Sequence, residues 1–165
     1  MFDPFFLWLE STALSMWLVG SISVFAFPFV LALHTVGLGL LVGLNAALDF
    51  RMLGVAPHIP LTEFRRFLPI MWFGFWLNAA SGVLLLIAYP TKALTNPVFY
   101  LKLGLIAAAT SILLNVRRRV LSEQAPAGPP VRVKLLAAAS LFCWAGAIVA
   151  GRLLAYTYSR LTAMD

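Results

Sequence analysis

Charge is scarce in this chain: 11% of its 165 residues are Asp, Glu, Lys or Arg, against about 25% in soluble domains. So little charge excludes a water-soluble domain with an ordinary solvated surface. Cysteine is almost absent. Cys143 stands alone inside an apolar run, which excludes an internal disulfide and reads most simply as a small packing residue. Imidazole comes only from His34 and His58. No HExxH, phosphate-binding loop, nucleophile elbow or paired-carboxylate arrangement occurs, so the common signatures of hydrolases and nucleotide-binding enzymes are missing. The five methionines are scattered, without the gathered soft ligands that copper handling needs.

What the chain has instead is apolar length. Hydrophobic residues make up 62% of it, and the mean hydropathy is +0.93. A bilayer crossing takes ~20 mostly apolar residues, and four stretches supply them, at about 23–48, 67–89, 97–116 and 133–156. Lipid cannot satisfy backbone polar groups, and the alternation of a barrel is absent, so the spans are predicted to be helices. The expected fold is all-α: one integral membrane domain over residues 1–165, built as a four-transmembrane-helix bundle in a lipid bilayer. The opening "MFDPFFLWLESTALSMW" carries acidic residues and no Lys or Arg, unlike a signal peptide. Asp3 and Pro4 suit an N-cap and a first helical position. With Phe5, Phe6, Trp8 and Trp17, this segment is expected to form a short helix lying in the membrane interface.

The net charge of +6 is informative through its placement. Arg51, Arg65 and Arg66 join the first two spans, and Arg117, Arg118, Arg119, Arg132 and Lys134 flank the connection between the last two. The positive-inside rule then puts both termini outside the cytoplasm. Basic residues placed this way need no nucleic acid to explain them. Gly54 and Pro57 are expected to stop the first span, and Asn96 with Pro97 to start the third.

Chemistry concentrates in the first span. His34, Asn45 and Asp49 fall on one stripe of a helix, with the Gly39-to-Gly43 GxxxG ridge on roughly the opposite face. A polar side chain in hydrocarbon must point inward and find a partner. His34 can be a structural tie to Asn78 or Ser81, an axial ligand of an iron porphyrin, or a group in proton transfer or metal transport. Lys102 and Arg152 lie nearer the outer surface, where they can pair with haem propionates or simply snorkel. Trp76 belongs to an aromatic set, with Trp72, Phe73 and Phe75, that can line a flat cofactor or pack at an interface. Met71, Lys102, a water or a neighbouring subunit can complete the iron. Asp49 is expected to close the first helix at its cytoplasmic edge, beside Arg51. The small residues Gly104, Ala107, Ala108, Ser111 and Asn115 are expected to pack the third span, and Cys143, Ala147, Ala150 and Gly151 the fourth. The expected role is a haem b-binding electron-transfer or redox module, with a homo-oligomer or membrane redox partner; the alternatives are a cofactor-free accessory subunit and a small transporter component.

Three stretches carry a resemblance. "LHTVGLGLLVGLNAALDFRMLG" (33–54) and "AGRLLAY" (150–156) are similar to the first-helix and closing motifs of a family of small bacterial four-helix membrane proteins of unknown function. "NPVFYLKLGLIAAATSILLNVRR" (96–118) resembles the Lys-initiated helix of the copper-resistance CopD and HemJ-like group. The resemblance implies a multi-pass protein of the bacterial inner (cytoplasmic) membrane that binds haem b, with His34 and Lys102 at the matching positions.

Overall fold

Pro4 lies in the first turn of α1 (Asp3–Glu10), where its missing N–H costs nothing. In the computed structural model, which describes residues 3–119 and 130–161, the N-terminal segment forms two helices instead of the single one expected. Thr12 is the reason. Its hydroxyl oxygen accepts from the Ser15 N–H at 3.3 Å, which caps a new start and opens α2 (Ala13–Gly20).

The long helix α3 (Phe27–Leu53) has Pro28 in its first turn and Gly54 at its end, in the left-handed conformation with φ 113°. The Val55 N–H donates to the Phe50 carbonyl at 3.0 Å and the Gly54 N–H to that of Arg51 at 3.2 Å. These are the two bonds of a Schellman motif. The helix therefore stops at the predicted glycine, though it carries five residues beyond the span boundary read from hydropathy. A 3-10 segment (Leu61–Phe67) leads into α4 (Leu68–Ala88), followed by the short α5 (Pro90–Leu94). α6 (Pro97–Arg119) begins as expected, with the Asn96 side-chain oxygen accepting from the Val98 N–H at 2.9 Å. α7 (Val131–Leu161) completes the described chain.

Four segments are long and apolar enough to cross a membrane: 27–53, 61–88, 97–116 and 131–154. Large side chains such as Phe73, Leu135 and Phe142 stay uncovered on their outer faces. That pattern suits lipid, which is as apolar as they are. The protein is an all-α, multi-pass membrane bundle with a short N-terminal helical segment.

Backbone proximity sets the arrangement. α3 runs against α4 through Gly37 and Gly74: a Cβ on Gly37 would stand 2.7 Å from the Asn78 backbone nitrogen, and one on Gly74 2.9 Å from the Gly37 carbonyl. Gly39 and Gly43 have open space around them, so the predicted ridge is not what closes the bundle. α6 departs from expectation in the same way. Its small residues Gly104, Ala107, Ala108, Ser111 and Asn115 face outward, while Ala109, Leu113 and Val116 supply its buried side. On α7 the expected face is the packed one, with Ala147 and Ala150 buried and Cys143 half-buried.

The main core gathers Leu41, Leu48, Met52, Met71, Leu113 and Trp144. A smaller cluster of Leu18, Val30 and Ala88 fastens α2 to α3 and α4. The Thr91 hydroxyl donates to the Glu10 carboxylate at 2.8 Å, bracing α1 against α5. α4 packs on α3 and α6 on α7, while α4 and α6 make no extensive backbone contact. The cavity beside His34 is lined from all four.

Candidate functional site

His34 projects from α3 toward α4. Its Nδ1 lies 3.0 Å from the Asn78 carbonyl oxygen and 3.1 Å from the Ser81 hydroxyl oxygen. The Ser81 hydroxyl donates its own proton to the Leu77 carbonyl at 2.6 Å. Both of the atoms facing Nδ1 therefore accept, which assigns the proton to Nδ1 and leaves a lone pair on Nε2. Nε2 has no hydrogen-bond partner among the described residues. In return, the Asn78 side-chain amide donates to the His34 carbonyl at 2.8 Å. Ring and helix are held by one residue of α4.

The imidazole lines a cavity of about 260 Å³. Its walls come from all four long helices and α5, with His34, Gly82, Tyr89, Lys92, Lys102 and Gly151 among them. Bundle cores with facing side chains are where helical proteins build cofactor and metal sites, and the volume falls just below the ~300–1,000 Å³ usual for ligand pockets. Two glycines shape the walls. A Cβ on Gly82 would lie 3.2 Å from His34 Cε1, and one on Gly151 would lie 3.5 Å from Lys102 Nζ. Both positions keep room beside the functional side chains.

The sequence-predicted residues divide. His34 and Lys102 line the cavity, while Asn78 lies outside its lining and holds the His34 ring through its backbone carbonyl. Arg152 points elsewhere, with its guanidinium over the Tyr156 ring at 5.5 Å and the side chain exposed. Trp76 is 66% exposed and stacks edge-on against Phe75 with centroids 5.3 Å apart; it lies outside the cavity lining, as does Met71, which is buried in the main core. Lys92 also lines the cavity, from α5. The signal that could have found it is the pair Pro90 and Pro97, which bracket α5 between α4 and α6.

A second polar group was misread. The expected pairing of Asp49 with Arg51 at the end of the first helix does not form. Asp49 is 2% exposed, and its carboxylate oxygen accepts from the Asn45 amide at 2.7 Å. The same amide nitrogen donates to the Ser140 hydroxyl oxygen of α7 at 2.9 Å. Arg51 turns the other way, donating to the Ile59 and Pro57 carbonyls. The loop after Gly54 offers the guanidinium several carbonyls at close range, and Asp49 lies on the side of α3 that faces α7.

Among the described residues, no three of His, Cys, Asp and Glu gather around a common point. His34 is thus the one strong metal ligand at the cavity, and a metal there needs most of its coordination from its own organic frame. Comparison of the chain with family models, curated proteins and solved structures finds no match.

Proposed function

We propose that the cavity binds haem b, with His34 Nε2 as an axial ligand and Lys102 facing the propionates, and that the protein is a membrane electron-transfer module. The carrying observation is the pair of acceptors facing Nδ1, the Asn78 carbonyl and the Ser81 hydroxyl oxygen, which assigns the tautomer. Ligating histidines characteristically donate the other ring N–H to a carbonyl or carboxylate, which fixes ring orientation and raises basicity. His34 does this toward Asn78 while Nε2 stays unpartnered at a cavity.

Bound there, haem b would supply one-electron chemistry that no side chain offers. The residues of the chain hold and shape the site. Asn78 and Ser81 fix the ring, Gly82 leaves it clearance, Lys102 would answer carboxylate charge, and the rest of the walls are mostly apolar. The basic end of the bundle is taken as cytoplasmic by the positive-inside rule, which puts the cavity in the outer half of a bacterial inner membrane. A homo-oligomer or membrane redox partner would complete the electron path.

One observation favours a second reading, that of a cofactor-free accessory subunit. The reciprocal clasp between His34 and Asn78 ties two helices and uses only Nδ1. An absorption spectrum of protein purified from haem-replete cells separates the two. A Soret band that disappears in His34→Ala supports haem, and a colourless, well-folded preparation overturns it.

A further inference from the structure

We infer that Asp49, held between Asn45 and Ser140, is a proton-carrying site inside the membrane: a carboxylic acid at rest that exchanges its proton with water at the basic end of the bundle. The site is separate from the cavity, and the inference does not rest on haem.

The geometry supplies three reasons. Asp49 lies within a membrane-spanning helix and is 2% exposed, with Asn45 at 1% and Ser140 at 0%. Its polar neighbours, an amide and a hydroxyl, are both neutral. The charged residues of the elements packed against α3, Glu63, Arg65 and Arg66 on the 61–67 segment and Arg132, Lys134 and Arg152 on α7, are exposed, whereas those elements bring Leu61, Phe64, Met71, Cys143 and Trp144 to the core. Arg51, the nearest cation in sequence, is engaged by the Pro57 and Ile59 carbonyls. An intramembrane carboxyl without a countercharge belongs to the class of residues that serve proton relays.

A metal cation fits less well. The Asn45 amide nitrogen donates to both the Asp49 and Ser140 oxygens, so N–H groups occupy the position between them where a cation would sit. Asp49 is also only one turn from the end of α3 at Leu53, which makes the path to water short. In the exchange the carboxyl O–H bond breaks with its electron pair kept by the carboxylate, and the proton passes to water; uptake is the reverse.

Infrared spectroscopy of the full-length protein in lipid, with aspartate labelled at its side-chain carboxyl carbon, tests this. The chain has only Asp3, Asp49 and Asp165. At neutral pH one labelled carboxylic-acid carbonyl band is expected; it should shift in deuterated water and be lost completely in Asp49→Asn. Should that variant fail to fold, the double variant Asp3→Asn with Asp165→Asn leaves Asp49 as the one labelled side chain and should keep the band. Carboxylate bands alone, a band that survives Asp49→Asn, or an acid band that never shifts with deuterium would each overturn the proposal.

Discussion

His34 and Asn78 hold each other twice, ring to backbone and side chain to backbone: Nδ1 donates to the Asn78 carbonyl at 3.0 Å, and the Asn78 amide donates to the His34 carbonyl at 2.8 Å. The two bonds do different work. Asn78→Ala removes the second and leaves the first, because a backbone carbonyl survives any substitution. Interhelical hydrogen bonds in membranes average ~0.6 kcal/mol with a ceiling near 1.7. Asn78→Ala should therefore lower stability by about that range while the haem spectrum keeps its position. Thermal unfolding in detergent, followed beside the Soret band, checks both halves.

Lys102 reaches the cavity wall beside Gly151 and makes no hydrogen bond or ion pair among the described residues. A charge-assisted hydrogen bond contributes about 1.5–3 kcal/mol, so Lys102→Met should weaken haem affinity by roughly ten- to a hundredfold. Lys102→Arg should retain most of it. Titrating haem into the haem-free proteins gives the ratio. Equal affinities in wild type and Lys102→Met would remove the lysine from the site.

The glycines of α3 predict opposite outcomes a few residues apart. A Cβ on Gly37 meets α4 backbone at 2.7 and 2.9 Å, atoms that cannot swing aside. Gly37→Ala should force α3 and α4 apart and cost about 1–3 kcal/mol, the usual range for overpacking. Gly39→Ala and Gly43→Ala meet nothing within 4 Å and gain helix propensity, so they should be neutral or slightly stabilising in the monomer. Unfolding midpoints of the three variants, measured in one detergent, decide this.

These glycines also show what the sequence could and could not reveal. The spans, the stop at Gly54 and the cap at Asn96 were legible because each follows from local chemistry: hydropathy, a left-handed residue, a side-chain acceptor. Which face of α3 meets α4 was not local. Gly37 and Gly39 look alike in sequence, and only the position of Gly74 on another helix chooses between them. Asp49 failed for the same reason, since Ser140 lies far along the chain while Arg51 is two residues away. His34 was legible as a polar group needing a partner, and both suggested partners proved correct. Arg152 was not, because proximity to Tyr156 on its own helix draws it outward.

Gly82 gives the sharpest separation of cavity from fold. Within 4 Å of a Cβ at that position the described structure has only two His34 ring atoms, Cε1 at 3.2 Å and Nδ1 at 3.6 Å. The ring cannot yield without stretching its bonds to Asn78 and Ser81, so Gly82→Val should push the imidazole out of position and fill the space beside it. On the proposed haem site the loss should fall on haem binding, with the helical fold retained, because a Cβ there meets only the His34 ring within 4 Å. Gly151→Ala is the matched control. Its Cβ would meet the far end of Lys102 at 3.5 Å, an ordinary contact with a flexible chain, so haem binding should survive. If circular dichroism shows both variants folded and both equally coloured, the proposal that haem binds beside His34 fails.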